Sequence, residues 1–333
     1  MGVATLMIIC CHCPHWCAGL PGVCKSILIM GYLGVDMFLL LSGIGMYYSW
    51  KKQTENLTNT QNGWNWKLLI LWYSKRYKRF LVPYLMIAIP CYSIIALQEH
   101  DSFTNFILNV STISYWLYHK GAWYIAMLFP LYLLTPLIIR LMSGKYRGGY
   151  FVILTIICLF STQLYSSDEG IINNIIFVVR RLPSFFLGII IAPYAVEHKK
   201  IQFSYIIAIL VLCTTISTAM YQKNLPFEMF AIVPIIFFSI VLLHLHSMVM
   251  KYCNQALASV GKISLESYIF NILLPIILSK IQWDLIYPGI NHGNYLMYSF
   301  TIIFGLGLSY VISNVCHIVI EMSSPHKYDI CKN

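Results

Sequence analysis

The sequence is a succession of apolar runs, each about long enough to cross a lipid bilayer. A helix needs about 20 apolar residues to span the hydrocarbon core, and ten segments approach that length: 1–16, 31–49, 80–97, 123–140, 150–165, 182–196, 203–220, 231–248, 263–278 and 295–319. Only 10% of the 333 residues are charged, and the mean hydropathy is +0.70. A soluble fold needs far more polar surface than this. The sequence therefore predicts an all-α polytopic transmembrane helical bundle of about ten spans, forming one domain over residues 1–333.

Basic residues are distributed unevenly between the two sides of such a bundle. If the N-terminus is cytoplasmic, only six of the 22 Lys and Arg residues fall outside: Lys25, Lys120, Arg180, Arg181, Lys223 and Lys280. This excess of inner positive charge predicts a protein of the cell (cytoplasmic) membrane with both termini in the cytoplasm. The net charge of +10 forms no continuous basic stripe, so the expected partner is the lipid bilayer and not nucleic acid.

Two connections contain aromatic residues typical of a membrane interface. The inner connection 50–79 mixes Trp64, Trp66 and Trp72 with basic residues, and this favours a helix lying in the interface. The outer segment 102–118 has a similar but weaker character.

Ionisable side chains inside apolar runs are costly to place in a membrane, so each is a functional candidate. His12 lies near the outer end of the first run, and Asp36 lies about one and a half turns into the second. A short connection makes these spans antiparallel neighbours, so the two side chains are expected at similar depth. A His held by a carboxylate is the usual general base for deprotonating an alcohol. The alternative is a His exposed to headgroups and an Asp satisfied by the backbone.

Soft metal ligands surround the same histidine. Cys10, Cys11, Cys13 and Cys17 lie close to His12 and His15. No paired ligand group with structural-zinc spacing occurs elsewhere in the chain, so no metal site and no tightly bound cofactor is expected.

Two arginines precede a proline at the inner end of the third run. Arg76 and Arg79 stand just before Pro83, and guanidinium groups match phosphate oxygens in pairs. They are candidates for binding a phosphate-rich donor, with anchoring against anionic lipid as the alternative.

A second arginine pair lies on the outer side, where basic residues are disfavoured. Arg180 and Arg181, with Trp123 and Tyr124, are expected to line an outer cavity or acceptor site, or to anchor an aromatic belt. Glu266, near the inner end of the ninth run, is expected to pair with an Arg or Lys on a helix.

Three stretches resemble the acyltransferase-3 family of integral membrane acyltransferases. They are the glycine-rich segment 31–43 around Asp36, the Arg-x-x-Arg motif 76–79 followed by Pro83, and the segment 261–268 with Gly261, Ser264 and Tyr268. The run Leu6–His12 is similar to the family's first helix, which ends in its key His, and Trp123-Tyr124 matches a further element. These matches occur in the family's order and span nearly the whole chain.

The resemblance implies transfer of an acyl group, commonly acetyl, from a cytoplasmic acyl-CoA such as acetyl-CoA, acting as co-substrate, to a hydroxyl of a cell-surface or lipid-linked carbohydrate. His12 would be the catalytic base or the acyl-handling residue, with Asp36 as its expected catalytic partner from its placement. Arg76 and Arg79 would contribute to donor binding or to the conformation of the donor site. Supporting roles are expected for Ser264, Glu266, Tyr268 and Asn271.

Two positions depart from the family pattern. The family's Arg eleven residues before its first-helix His falls at Met1, so the expectation is either that the first helix is truncated or that this part of the motif is absent. Asn271 stands where the family often has His, and an amide can position a partner but cannot act as a base. Two alternatives remain open: a transporter or flippase for an oligosaccharide or lipid-linked sugar, and a non-catalytic partner of glycan-biosynthesis proteins.

Overall fold

The computed structural model describes residues 1–17, 19–55, 66–164, 170–196, 203–223, 225–243, 248–281, 283 and 292–322. Helices dominate these residues, and no strand occurs among them. In chain order the helices are α1 (Gly2–Trp16), α2 (Gly22–Ile29), α3 (Leu33–Glu55), α4 (Trp66–Glu99), α5 (Phe103–Val110), α6 (Ile113–Tyr118), α7 (Trp123–Ser143), α8 (Arg147–Ser161), α9 (Ile171–Val179), α10 (Leu182–Val196), α11 (Phe203–Gln222), α12 (Glu228–Leu243), α13 (Met248–Lys262), α14 (Ser264–Leu278) and α15 (His292–Met322). The predicted all-α bundle is confirmed.

Seven of the expected spans are long and apolar enough to cross a membrane. They lie within Gly22–Thr54, Trp66–Glu99, Trp123–Ser143, Arg147–Leu164, Ile171–Tyr194, Ser204–Gln222 and Asn294–Met322. An eighth, Met250–Lys262 with Ser264–Leu278, is bent by 72° at its break. The other two expected spans correspond to the shorter apolar helices Gly2–Trp16 and Glu228–Val241.

The interfacial helix predicted over 50–79 is wrong for the part that the structure describes. Trp66 to Arg79 belong to α4, which continues without interruption to Glu99 and is 34 residues long. Trp72 is 1% exposed and donates its indole N–H to the Ser49 hydroxyl of α3 at 3.0 Å. The aromatic residues of this connection predict an interfacial position, but Trp72 packs inside the bundle. Trp64 lies outside the described residues. The weaker outer segment 102–118 forms α5 and α6.

Close helix contacts set the register of the first helices. Gly31 and Gly34 lie so near α1 that an added Cβ would overlap the carbonyl groups of Met7 and Ala4, respectively. Gly34 follows Gly31 in the chain, whereas its partner Ala4 precedes Met7. The segment around these glycines therefore runs antiparallel to α1, as the sequence predicts. Gly2 in turn contacts Gly261, at the start of the segment that leads into α14.

A second glycine contact joins α3 to α10. A Cβ at Gly43 would meet the carbonyl of Phe185, and one at Gly188 would meet the carbonyl of Leu40. The backbones therefore touch without intervening side chains, an arrangement typical of small residues at helix crossings in membranes.

Two tyrosines of α4 tie that helix to α7. Tyr73 donates to the Leu133 carbonyl at 2.6 Å, and Tyr77 donates to the Phe129 carbonyl at 2.8 Å. Residue numbers increase along α4 as those of their partners decrease along α7, so α4 and α7 are antiparallel. At the far end of α4, Gln98 donates to the Ile277 carbonyl at 3.4 Å, so α14 runs parallel to α4.

Candidate functional site

One buried group, termed here the ionic cluster, consists of Asp36, Arg180, Arg181, Ser184 and Glu228. Arg181 donates to Asp36 and Arg180 donates to Glu228, while the Ser184 hydroxyl donates to the other Asp36 oxygen at 3.0 Å. Arg181 also lies 3.8 Å from Glu228. The side chains of Asp36 and Glu228 are 0% and 2% exposed. Two carboxylates and two guanidinium groups thus balance inside the bundle, where unpaired charge would be prohibitive.

Aromatic rings complete the surroundings of this cluster. The guanidinium carbon of Arg181 lies 4.8 Å from the ring centroid of Tyr32 and 5.8 Å from that of Phe177. Both distances fall within the range of cation–π attraction. Arg181 was expected to line an outer cavity, but its side chain is 7% exposed and paired with Asp36.

A second group, termed here the imidazole cluster, consists of His12, Asn271 and Tyr298, which come from α1, α14 and α15. His12 Nδ1 lies 2.6 Å from Asn271 Nδ2, and the Tyr298 hydroxyl lies 3.2 Å from Asn271 Oδ1. The same hydroxyl lies 2.5 Å from the Ile9 carbonyl. Asn271 and Tyr298 are buried, whereas His12 is half-buried. This cluster contains no formal charge when the imidazole is neutral.

The expected pairing of His12 with Asp36 is wrong. The register of the chain explains why: Gly31, not Asp36, lies opposite the Met7–Cys11 segment of α1 that precedes His12. Asp36 is five residues further along, roughly 8 Å deeper into the bundle. Asp36 bonds to Arg181 and Ser184, and His12 bonds to Asn271.

Arg76 and Arg79 lie side by side on α4, close to Tyr132 of α7. Arg76 is half-buried and Arg79 is exposed. In the described part of the chain, neither arginine has an ion-pair partner. Tyr73 and Tyr77 fix this half of α4 against α7 through the two carbonyl bonds described above, so the position of the arginines relative to Tyr132 is well defined.

An aromatic group lies between the arginine pair and the imidazole cluster. The rings of Tyr124 and Tyr268 are 5.4 Å apart, and Phe38 lies 6.2 Å from Tyr124. The backbone N–H of Tyr124, in the first turn of α7, donates to the Tyr268 hydroxyl at 3.2 Å. Tyr268 thereby satisfies an amide that a helix start leaves without a partner. Trp123, next in the chain, is half-buried with its ring 5.0 Å from that of Phe177.

The other expected residues of α14 lie away from the imidazole. Ser264 is the first residue of the helix and is half-buried. Glu266 is 5% exposed and lies beside Ser313 of α15. Among the described residues it has no basic partner, so the expected pairing with an Arg or Lys is not found there. No group of three or more His, Cys, Asp or Glu residues suited to a metal ion occurs within the described ranges.

Sequence reasoning missed Ser184, Glu228 and Tyr298 of the two clusters, and Tyr132 beside the arginine pair. Glu228 carried a usable signal, because it is a carboxylate next to an apolar run, although it falls just before the predicted span 231–248. Tyr298 and Tyr132 carried none, since they are two of 24 tyrosines scattered through apolar segments.

Comparison with known proteins identifies the family. The family model described as an acyltransferase domain, that of the acyltransferase-3 family, matches residues 2–314. No curated protein and no solved structure gives a match. The matched range includes both clusters, the arginine pair and the aromatic group between them. The chain therefore belongs to the acyltransferase-3 family of membrane acyltransferases.

Proposed function

We propose that the protein transfers an acyl group, expected to be acetyl, from a cytoplasmic acyl-CoA to a hydroxyl of a cell-surface or lipid-linked carbohydrate. The observation that carries this proposal is the placement of His12 and the Arg76–Arg79 pair at opposite ends of the aromatic group. One end suits an anionic donor, and the other holds an imidazole that can act as a base.

The helix directions give the separation between these ends. Tyr132 lies eight residues along α7 from Tyr124, which is about 12 Å. Asn271 lies three residues along α14 from Tyr268, about 4.5 Å in the opposite direction because the helices are antiparallel. The arginine level and the His12 level are therefore about 16 Å apart along the bundle. A donor bound by its phosphates at one end must carry the acyl group on a long arm to reach the other, and an acyl-CoA thioester has such an arm.

The donor end is supported by charge. Adjacent guanidinium groups repel one another, and an anion between them relieves that repulsion while accepting paired hydrogen bonds. The inner position of Arg76 and Arg79 in the charge pattern agrees with a cytoplasmic donor. The same distribution of basic residues supports a multi-pass protein of the cell membrane with both termini in the cytoplasm.

The reaction at the other end requires only proton transfer and attack. The carbohydrate hydroxyl gives its proton to His12, and its oxygen bonds to the thioester carbonyl carbon. The carbon–sulfur bond then breaks, and the departing thiolate takes the proton from the imidazolium. General base catalysis of this kind contributes about 10²- to 10⁴-fold. Glycan-biosynthesis proteins would supply the carbohydrate, and Trp123 offers a half-buried ring for stacking against it.

Replacement of His12 tests the proposal. Membranes from the producing cell, which contain its own glycans, are given acetyl-CoA radiolabelled in the acetyl group, and alkali-labile label is counted in the carbohydrate fraction. His12→Ala should reduce incorporation by about 10²-fold or more without changing the amount of protein in the membrane. His15→Ala, one turn away and exposed, is the matched control and should keep full activity.

The same assay separates the alternatives. Movement of a labelled glycan across the membrane without acetyl transfer supports a transporter. Glycan labelling that needs the chain but survives His12→Ala supports a non-catalytic partner and overturns the role given to His12.

A further inference from the structure

In the imidazole cluster, the hydroxyl of Tyr298 faces two acceptors but has only one proton to donate. With Asn271 Nδ2 toward His12, the amide oxygen faces the Tyr298 hydroxyl at 3.2 Å. That hydroxyl also faces the Ile9 carbonyl at 2.5 Å. Both oxygens are then acceptors, yet a tyrosine hydroxyl has a single proton to donate. One contact in this orientation is therefore left without a full hydrogen bond.

Rotation of the Asn271 carboxamide by 180° removes the conflict. The two ends of an amide are nearly identical in shape, so the surrounding network decides which is the oxygen. After rotation, the oxygen accepts from His12 Nδ1–H, and the nitrogen donates to the Tyr298 oxygen. Tyr298 then donates its one proton to the Ile9 carbonyl. Each of the three contacts in the cluster then has one donor and one acceptor.

The distance between the two side chains agrees with this orientation. The contact of 2.6 Å is slightly shorter than the usual N–H···O range of about 2.7–3.2 Å. A nitrogen acceptor is larger than an oxygen acceptor, so an N–H···N bond of this length would be more compressed.

A second His–Asn pair in the same chain provides an internal reference. His119 Nδ1 lies 2.6 Å from Asn174 Oδ1. There the orientation is fixed, because Asn174 Nδ2 donates to the carbonyls of Tyr115 at 3.1 Å and Trp116 at 3.0 Å. The oxygen must face the imidazole, and Nδ1 must carry the proton. The equal distance at His12 is the one expected for the same arrangement.

We propose that Asn271 and Tyr298 are positioning residues that hold His12 in the Nδ1–H tautomer. In this form the lone pair is on Nε2, which is then the nitrogen able to take a proton from the acceptor hydroxyl. The other tautomer places a proton on Nε2 and uses the Nδ1 lone pair in the contact with Asn271, which leaves no base. The catalytic part rests on the function proposed above, whereas the tautomer itself does not.

The roles of the two residues are separable. Asn271 provides the oxygen that selects the protonated nitrogen. Tyr298 selects the orientation of Asn271, because its proton is drawn to the Ile9 carbonyl and its lone pair faces the amide. An aspartate at 271 also accepts from Nδ1–H and needs no help from Tyr298. A leucine at 271 has no acceptor and leaves the ring free to adopt either tautomer.

Nitrogen NMR measures the tautomer without any activity. The full chain is labelled with ring-¹⁵N histidine and reconstituted in lipid nanodiscs, and the His12 signals are identified by their loss in His12→Gln. We expect a protonated Nδ1 and an unprotonated Nε2 in the unmodified protein and in Asn271→Asp. Asn271→Leu and Tyr298→Phe should show a mixture of both tautomers. A protonated Nε2 in the unmodified protein overturns the proposal, and an unchanged spectrum in Tyr298→Phe overturns the part assigned to Tyr298.

Acyl transfer in the producing cell's membranes supplies the second measurement. Asn271→Leu should lose roughly 10²-fold in labelled acetyl incorporation, and Asn271→Asp should recover a large part of that loss. Asn174→Leu breaks the reference pair, which shares no hydrogen bond with His12, and should leave transfer unchanged. Equal loss in the Asp and Leu variants overturns a positioning role for the amide oxygen. If the unmodified chain transfers no acetyl group, the proposed function fails while the NMR result still decides the tautomer.

Discussion

The ionic cluster and the imidazole cluster are both polar, both largely buried and each formed by three segments of the bundle, but they differ in which polar groups keep a free hydrogen-bonding position. In the ionic cluster, Asp36 and Glu228 are each matched by an arginine. In the imidazole cluster, His12 uses one ring nitrogen in its contact with Asn271, and its other ring nitrogen has no hydrogen-bond partner among the described residues. A charge inside a membrane span is thus insufficient evidence for catalysis, because its partner can be another charge of the fold. The group with an unused proton site is the better candidate.

Removal of one charge from the ionic cluster should produce the largest effect on stability. Asp36→Ala leaves Arg181 buried without its counter-charge, and breaking a buried pair in this way costs about 3–5 kcal/mol. The free energy of unfolding can be measured by titrating SDS into protein held in mixed micelles. His12→Ala removes no charge partner and should cost far less. If Asp36→Ala unfolds like the unmodified protein but loses acyl transfer, Asp36 belongs with the reaction and the contrast between the clusters fails.

A double-mutant cycle sharpens the same contrast. Asp36→Ala combined with Arg181→Ala should be less destabilising than the sum of the single changes, because the second change removes the unpaired charge. Coupling should lie near the upper end of the range of about 0.5–3 kcal/mol seen for contacting residues. The cycle of His12→Ala with Arg181→Ala is the control and should be additive to within about 0.5 kcal/mol. Strong coupling in the control would mean that the two clusters form one network.

The smallest effect is expected from the neutral member of the ionic cluster. Ser184→Ala removes one hydrogen bond to Asp36 but leaves the ion pair with Arg181. A single hydrogen bond contributes about 0.5–1.5 kcal/mol, and acyl transfer should be unchanged. SDS unfolding and label incorporation, measured on the same preparation, check both statements. A loss above 3 kcal/mol would show that the hydroxyl, and not the guanidinium, is the main partner of Asp36.

The sequence was sufficient for the fold class because apolar length and charge asymmetry are properties of the chain itself. It also identified α1 and α3 as antiparallel neighbours, since a short connection leaves little choice. It could not supply the register between them, which depends on how closely Gly31 and Gly34 approach α1. An error of about one and a half turns was enough to pair His12 with the wrong side chain.

Two further failures have different physical causes. Trp72 was placed at an interface because tryptophan is common there, but the long helix α4 buries it against Ser49. Tyr298 could not be selected from its local sequence, because its role comes from contacts with Ile9 and Asn271, both distant in the chain. Contacts of this kind are set by tertiary packing alone.

The crossing of α3 and α10 has a consequence for which sequences the bundle accepts. Asp36 and Gly43 are seven residues apart on α3, and Arg181, which directly precedes α10, is likewise seven residues from Gly188. Because the helices run parallel, the glycine contact sets the separation at which the charges meet two turns away. A methyl group at either glycine would push the backbones apart and open the ion pair. We therefore expect homologous sequences to show substitutions at the two glycines together with substitutions at the two charges.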